Sequence, residues 1–177
     1  MLKSDLTITT LSGDAFASHL PAFAELLTSC VRAGASVNFV MPFEPCEAET
    51  YWREKILPGV CSGKRVLLAA WLGDQLAGTV NLDIDMPPNQ IHRAEVSKLL
   101  VHPQFRRRGI ARALMQALEA EANGAGRTLV TLDTQTGGAA EPLYGSLGYV
   151  TVGMIPEFCR DACEDRLGST TIMYKRL

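Results

Sequence analysis

The chain has 177 residues and a mass of 19.2 kDa, which is about the size of one domain. Hydrophobic residues make up 47% and charged residues 20%, a balance that argues against disorder. The net charge of −2 argues against a nucleic-acid partner, and no apolar run reaches the ~18 residues of a membrane helix. Residues 1–5 lack the start of an export signal. We therefore expect a single domain over residues 1–177, located in the cytoplasm.

The five cysteines predict free thiols rather than disulfides or a metal site. Their number is odd, they are scattered along the chain, and no export signal accompanies them. Only Cys159 and Cys163 are close in sequence, and their spacing matches neither a redox motif nor a zinc motif. None of the three histidines lies near that pair. We expect no disulfide and no metal.

The N-terminal third predicts one strand followed by two helices. Residues 6–10 alternate and are rich in β-branched side chains, which predicts the first strand. Apolar residues at helical spacing predict a helix over residues 12–31. Residues 34–45 mix turn formers with apolar residues and predict a loop, either functional or covering the core. A second helix is predicted over residues 47–57, ending before Pro58.

The rest of the chain predicts strands interrupted by two helices. A short Gly-Asp turn at residues 73–75 lies between two apolar runs, which is a hairpin signal. The predicted elements are strands 65–72, 76–84, 93–101, 128–132, 149–154 and 170–175, and helices 109–123 and 139–147. This order mixes hairpins with strand–helix–strand crossovers. We expect an α/β (α+β) fold, with a mixed, twisted sheet of about seven strands flanked by about four helices.

Basic residues concentrate at one point of an otherwise acidic chain. Four arginines lie within seven residues: Arg106, Arg107, Arg108 and Arg112. They surround the start of the predicted helix 109–123, where the macrodipole presents about half a positive charge. The small residues Gly109 and Ala111 let a ligand approach the backbone closely. This combination predicts a site for phosphate or pyrophosphate, with a solvated basic loop as the alternative.

Common nucleotide-binding and hydrolase motifs do not occur in the sequence. Residues 59–65 are one residue short of a P-loop and lack the Ser or Thr that follows its lysine. There is no G-x-G-x-x-G fingerprint of a dinucleotide site and no G-x-S-x-G nucleophile elbow. The anion site is therefore expected to hold a phosphate of another kind.

Two motifs identify that phosphate. Residues 106–111, Arg-Arg-Arg-Gly-Ile-Ala, resemble the [Q/R]-x-x-G-x-[G/A] signature of the GCN5-related N-acetyltransferase (GNAT) superfamily. A second segment resembles its A-x-x-x-Y-x-x-x-G-[F/Y] pattern through Ala140, Tyr144, Gly148 and Tyr149, although the family often has Asn at the position of Gly137. The resemblance implies acetyl-CoA as cosubstrate, without a metal. The implied cofactor-binding residues are Leu99, Leu100, Val101, Arg106, Arg107, Arg108, Gly109, Ile110, Ala111, Arg112, Ala140 and Tyr144.

Further segments narrow the likeness: residues 34–39, 93–96, 132–134 and 171–175. Together they resemble the acetyltransferases that confer tabtoxin resistance, which acetylate a β-lactam amino-acid analogue. This implies direct transfer of acetyl to a small amino-acid-like acceptor in a ternary complex. The alternatives are a GNAT enzyme that acetylates a protein N-terminus or lysine, and a non-catalytic CoA-binding module. Because GNAT enzymes often pair, a homodimer is a candidate assembly.

Glu95 is the first candidate for proton transfer. An amine must lose a proton before it attacks a thioester. Strand alternation predicts one face that holds Glu95, Ser97, Leu99 and Val101. A carboxylate at Glu95, upstream of the bound thioester, could act as base. An ion pair with Arg93 or Lys98 is the alternative.

Asp133 and Tyr144 are the other two candidates. Asp133 ends a predicted strand, where it could share the proton transfer, bind a substrate ammonium group or cap the next helix. Tyr144 could protonate the departing thiolate, since the difference in pKa between a tyrosine and a thiol corresponds to only about 2 kcal/mol. Alternatively, it could be a packed tyrosine. The candidate acceptor-binding residues are Asn38, Phe39, Asp83, Glu95 and Asp133. Asp83 and its neighbour Asp85 are equally consistent with surface charges.

Overall fold

The structure is a computed structural model that describes residues 6–177. Seven strands form one mixed sheet, as the sequence predicts, and their order is β1-β2-β3-β4-β5-β7-β6. The strands are β1 (Leu6–Thr10), β2 (Arg65–Leu72), β3 (Gln75–Asp83), β4 (Arg93–Val101), β5 (Leu129–Gln135), β6 (Val150–Arg160) and β7 (Leu167–Arg176). The prediction about an export signal rests on residues 1–5, which lie outside the described residues.

Helices cover both faces of the sheet. They are α1 (Gly13–Ser18), α2 (Leu20–Arg32), α3 (Pro45–Tyr51), α4 (Leu57–Cys61), α5 (Ile110–Gly124) and α6 (Glu141–Ser146). A π-helical turn, Trp52–Ile56, joins α3 to α4, so these two form one continuous helix and the total is five. Within residues 6–177, none of these helices combines the length and apolarity needed to cross a membrane.

Two predicted boundaries are wrong for local reasons. The single helix predicted over residues 12–31 is two helices, because the chain leaves helical geometry at His19, and α2 begins at Leu20 with Pro21 in its first turn. The predicted stop before Pro58 is also wrong, since the helix continues to Cys61. Pro58 directly follows the π-helical turn, so the regular α-helical hydrogen-bond ladder that its missing N–H would interrupt is already broken at this point.

Apolar side chains form one cluster on each side of the sheet. On one side α5 packs Leu114, Met115 and Leu118 against β2, β3 and β4. On the other side α1 to α4 bury the aromatic residues Phe16, Phe23 and Trp52 against the sheet. Each fully buried side chain of this size contributes about 1.5–3 kcal/mol, so α5 is firmly held on the sheet.

The β4–β5 pair opens partway along its length. The two strands run parallel and are paired only where Arg93–Glu95 of β4 lies opposite Leu129–Thr131 of β5. Beyond this point β4 stays paired with β3, and β5 stays paired with β7. The strands therefore diverge towards their carboxyl ends, and a gap opens in the middle of the sheet.

A bulge in β4 changes which face its side chains occupy. Lys98 has a left-handed backbone, with φ of 54°, and the register with β3 gains one residue there. Before the bulge, Val96 packs on the side of the sheet that α5 covers. After the bulge, Leu99 packs on that same side, and Leu100 packs on the side that α1 to α4 cover. The prediction that Glu95, Ser97, Leu99 and Val101 share one face is therefore wrong, because simple alternation does not continue through the bulge.

Candidate active site

A cavity of about 670 Å³ occupies the gap between β4 and β5. Its walls come from the end of α2 with the loop after it, both strands, the start of α5, and α6 with the segment before it. The volume lies within the usual range of small-molecule sites. The predicted residues that line it are Asn38, Glu95, Leu99, Leu100, Val101, Arg106, Arg107, Gly109, Ile110, Ala111, Arg112, Asp133, Ala140 and Tyr144. The fold therefore brings together fourteen of the seventeen predicted site residues.

The N-terminus of α5 faces one end of this cavity. Gly109 is its N-cap and has a left-handed φ of 82°, as does Arg107 at 64°. No side chain caps the helix, and its first turn contains no acidic residue. The backbone N–H groups of the first turn are therefore available to a ligand, and the helix dipole favours an anion. A pyrophosphate group fits this end of the cavity.

The four arginines of this region differ in position. Arg106 donates through Nε to the Val101 carbonyl at 3.4 Å. Arg112 donates to Ser146 Oγ at 2.6 Å and so joins α5 to α6. Arg108 instead stacks its guanidinium on Phe105, 5.4 Å from the ring centroid, and does not line the cavity. The geometry favours the other three arginines as phosphate contacts.

The open edge of β4 forms the middle of the cavity. Within residues 6–177, the part of β4 beyond Glu95 has no strand partner on its β5 side. The predicted donor segment, residues 99–101, lies on this edge and lines the cavity. Unpaired strand N–H groups are ready hydrogen-bond donors for an extended ligand or a thioester oxygen.

Glu95 lies at the point where the strands diverge. Its Oε2 accepts from Arg93 Nη1 at 3.1 Å, so the ion pair with Arg93 is present rather than one with Lys98. About half of the Glu95 side chain is exposed, and the residue lines the cavity. Glu95 is therefore placed to receive a proton, and its role as base stays a prediction.

Asp133 lies on β5 and lines the same cavity as Glu95. Its Oδ2 accepts a hydrogen bond from Thr170 Oγ1 at 2.9 Å, which fixes the carboxylate. The prediction that Asp133 caps the next helix is wrong, since the N-cap of α6 is Ala140. Asp133 thus adds a second acid to the cavity.

Tyr144 projects from α6 into the cavity wall and is 5% exposed. Burial, and secondly the negative charge of Asp133, raise the pKa of Tyr144 above its ordinary value of 10. The hydroxyl therefore stays protonated at neutral pH and can donate a hydrogen bond. The raised pKa also enlarges the energetic gap for full proton transfer to a thiolate. Tyr144 is consequently better suited to stabilise the departing sulfur by a hydrogen bond.

Two predicted acceptor-binding residues lie outside the cavity. Asp83 accepts from Arg65 Nη2 at 2.6 Å and lines a separate groove of about 230 Å³. This ion pair turns its carboxylate away from the cavity, although Asp83 lies opposite Glu95 in the sheet register. Phe39 packs against Phe43, with their ring centroids 4.5 Å apart, instead of lining the cavity. For both residues the prediction of direct substrate binding is not supported by the geometry.

Lys98 is a cavity residue that the sequence analysis missed. It is 8% exposed, and its Nζ lies 5.4 Å from the ring centroid of Tyr51 and 5.9 Å from that of Phe39. Burial lowers the pKa of Lys98 from 10.5 to about 8, opposed by the charge of Asp133 and assisted by that of Arg65. A left-handed backbone at a residue other than glycine costs about 1–3 kcal/mol and is typical of functional sites. The sequence feature that could have indicated this role is the presence of a lysine at an inward position of an apolar strand.

The cysteines take no part in a metal or disulfide site within residues 6–177. All five are free thiols, and no cluster of three or more potential ligands is present in this range. Cys30 lies in the cavity wall, where burial raises the pKa of its thiol to about 11. A thiol with so high a pKa is a poor nucleophile at neutral pH.

Comparison with known proteins identifies the family to which the chain belongs. The family model of the acetyltransferase (GNAT) domain matches residues 42–165. A candidate acetyltransferase from Salmonella typhimurium, solved with its cofactor acetyl-CoA, is 19% identical over 97% of this chain and 94% of its own, with a TM-score of 0.75. Ribosomal-protein-alanine N-acetyltransferase from Brucella melitensis is 20% identical over 97% and 99%, also with a TM-score of 0.75. A candidate phosphinothricin N-acetyltransferase is 18% identical over 98% and 99%, with a TM-score of 0.72.

The structural likenesses show a shared fold, and the family model covers well over half of the chain. The uncapped α5 N-terminus, the arginines beside it and the open edge of β4 suit the pyrophosphate and the extended arm of acetyl-CoA. The chain is therefore a member of the GNAT acetyltransferase family, an acyltransferase that uses acetyl-CoA as its donor.

Proposed function

We propose that the protein transfers an acetyl group from acetyl-CoA to the amine of a small amino-acid-like acceptor, such as the β-lactam amino acid of tabtoxin. The observation that carries this proposal is the continuity of one cavity. It leads from the N-terminus of α5 to the two carboxylates of Glu95 and Asp133, with Tyr144 in its wall. Both substrates could therefore occupy the cavity together, which favours direct attack in a ternary complex.

The chemistry requires two proton transfers. The acceptor nitrogen forms a bond to the thioester carbonyl carbon, and the carbon–sulfur bond breaks. Glu95 or Asp133 takes the proton that the acceptor ammonium group loses before attack, and a second proton is lost to solvent as the amide forms. The sulfur leaves as a thiolate that accepts a hydrogen bond from the Tyr144 hydroxyl. The N–H groups on the open edge of β4 stabilise the negative charge on the carbonyl oxygen.

The surroundings of the acceptor end favour a small molecule over a polypeptide. The loop of residues 33–44 meets the β6–β7 hairpin, where Met41 N donates to the Ala162 carbonyl at 2.8 Å. Ser36 Oγ and Cys159 Sγ, 3.6 Å apart, form a second contact between the same two segments. Ser36 and Cys159 both line the cavity, so their contact forms part of its wall on the acceptor side.

A thiol-release assay with acetyl-CoA tests the proposal. We expect release with amino acids or β-lactam amino-acid analogues, and no release with peptides that carry free N-termini or lysines. Release with peptides alone would favour the protein-acetylating alternative. Binding of acetyl-CoA, seen as a raised melting temperature, without release from any amine would favour a non-catalytic module.

The remaining sequence predictions concern assembly and partners, and they stay predictions. They are a single domain over residues 1–177, a cytoplasmic location, no nucleic-acid or membrane partner, and a homodimer. The edge strand β6 exposes Val150, Val152, Met154 and Phe158. Exposed apolar side chains on an edge strand are typical of surfaces that contact a partner, which supports the homodimer.

A further inference from the structure

The basic residues of the cavity fall into two groups. Among the described residues that line it, four are basic: Lys98, Arg106, Arg107 and Arg112. The three arginines belong to the start of α5 and the turn before it, where the phosphate groups of the donor are expected. Lys98 lies apart from them in the bulge of β4, within the electrostatic reach of Asp133. Phosphate binding therefore gives no reason for the charge of Lys98.

The protein itself provides no carboxylate partner for Lys98. Within residues 6–177, no carboxylate oxygen lies within 4.0 Å of its Nζ, which instead lies over the rings of Phe39 and Tyr51. Glu95 pairs with Arg93 and Asp83 pairs with Arg65, whereas the charge of Asp133 reaches Lys98 only from beyond ion-pair distance. A buried cation without an anionic partner is unfavourable unless a ligand supplies the charge.

A second polar group next to this position also lacks a partner. Asn81 is fully buried on β3 and lies opposite Ser97, which lines the cavity beside Lys98. Neither the nitrogen nor the oxygen of its amide has a hydrogen-bond partner within residues 6–177. Buried polar groups in proteins are nearly always satisfied. Asn81 does not itself line the cavity, so its amide shows that a second polar group lies beside the Lys98 bulge without a partner in the described part of the chain, and the proposal depends on Lys98.

We propose that Lys98 determines acceptor specificity by binding the carboxylate of an amino-acid substrate. This inference rests on the proposed function and adds the group by which the acceptor is recognised. Lys98 supplies the positive charge, whereas Glu95 and Asp133 supply negative charges for the ammonium group of the same molecule. Charges of both signs around one volume match a zwitterion and discriminate against simple amines.

The test pairs a change in the enzyme with a change in the acceptor. The enzymes are wild type, Lys98→Met, which keeps the chain length and removes the charge, and Lys98→Arg, which keeps the charge. The acceptors are the best amino acid from the thiol-release panel and its carboxamide, which keeps the amine and removes the carboxylate charge. The measured quantity is kcat/KM for each of the six combinations. The acetyl-CoA-induced rise in melting temperature reports whether each variant is folded and binds the donor.

We expect wild type to prefer the amino acid over its carboxamide by about 10- to 100-fold, the range of one charge-assisted contact. Lys98→Met should lose most of this preference, by lowering kcat/KM for the amino acid while leaving that for the carboxamide within about threefold. Lys98→Arg should keep the preference, because its guanidinium also binds a carboxylate.

Three outcomes would overturn the inference. Equal losses with both acceptors in Lys98→Met would make Lys98 a proton carrier or a structural residue. A wild-type enzyme whose kcat/KM per unprotonated amine is the same for both acceptors would show, without any variant, that the carboxylate is not recognised. Turnover of peptides with neither small acceptor used would refute the proposed function as well, and this result is distinct because it does not involve Lys98.

Discussion

The two ends of the cavity are built by different means. The donor end is made of a continuous segment, residues 106–112, in which backbone N–H groups and arginines act together at the start of α5. The acceptor end is made of single side chains from separate elements: Asn38 in the loop after α2, Lys98 in β4, and Asp133 in β5. A backbone site of this kind depends on chain geometry and tolerates changes of side chain. A side-chain site depends on each residue and can change its ligand through one substitution.

The two ends also differ in their mechanical support. Helix α5 packs its apolar face into the core, with Leu114 and Met115 fully buried. It lies so close to the sheet that a Cβ on Gly78 would come within 3.2 Å of the Leu114 side chain and 3.3 Å of the Ile110 side chain. The acceptor end relies on the loop of residues 33–44 and on the β6–β7 hairpin. Substitutions at the acceptor end should therefore change the chemistry while donor binding persists.

The largest expected effect comes from the two acids of the acceptor end. Of Glu95→Gln and Asp133→Asn, the variant that removes the base should lower kcat by about 100-fold or more. It should leave the melting-temperature rise with acetyl-CoA unchanged, because the donor is bound elsewhere. Thiol-release kinetics across pH identify the base, since its variant loses the acidic limb of the profile. Wild-type kcat in both variants would contradict acid–base catalysis by this pair.

Tyr144 connects the two ends, and its removal should have the next largest effect. Tyr144→Phe deletes only the hydroxyl, so kcat should fall by about 10- to 100-fold while the KM for acetyl-CoA changes little. The raised pKa of Tyr144 keeps its hydroxyl protonated. Ionisation of Tyr144 should therefore cause no fall in kcat at moderately alkaline pH. The matched control is Tyr149→Phe, which removes the hydroxyl of the neighbouring buried tyrosine, outside the cavity lining. Equal kinetics in wild type and Tyr144→Phe would exclude the donor role.

The donor end can be examined with two neighbouring arginines. Arg107 lines the cavity and Arg108 stacks on Phe105, yet Arg107→Ala and Arg108→Ala change the net charge equally. We expect Arg107→Ala to weaken acetyl-CoA binding by about tenfold, the effect of one phosphate contact, and Arg108→Ala to weaken it less. Isothermal titration measures both affinities. A stronger effect of Arg108→Ala would mean that its stacked position does not persist in the complex.

Sequence reasoning predicted the donor end better than the acceptor end for physical reasons. Helix α5 and the arginine segment are contiguous, and their meaning follows from local rules about helix termini. The burial of Lys98 depends on a bulge that no local pattern marks, because a lysine with left-handed φ has no sequence signature of the kind that glycine provides. The pairing of Asp83 with Arg65 depends likewise on the β2–β3 register.

The fold shows the same limit. Periodicity found all seven strands, since alternation and turn residues act locally. It did not give the full length of β6, predicted over residues 149–154 and found over Val150–Arg160. The end of that strand is stabilised by pairing with β7, as in the register of Cys159 with Gly168. The part that was not predicted, residues 155–160, does not alternate between apolar and polar side chains, so it leaves no clear strand pattern.

The smallest expected effect concerns the pH dependence of acceptor recognition. The pKa of Lys98 is lowered to about 8 by burial, against the opposing charge of Asp133 on β5 and with assistance from Arg65 on β2. Tyr51 on α3, which packs against it, has a pKa raised by burial to about 12 and stays neutral in this range. Lys98 is therefore charged below pH 8 and neutral above it, so carboxylate binding is complete at low pH and lost as the pH rises.

The Lys98→Arg variant isolates this titration from that of the acceptor amine. Arginine keeps its charge at every pH used, and both enzymes act on the same amino acid, so changes in the amine cancel in the ratio of their kcat/KM values. The ratio of wild type to Lys98→Arg should be constant below pH 7 and should fall by about fourfold at pH 8.5, where about one lysine in four remains charged. A constant ratio to pH 9 would mean that the charge of Lys98 does not bind the acceptor. Recognition of the acceptor at its end of the cavity would then depend on Glu95 and Asp133 alone.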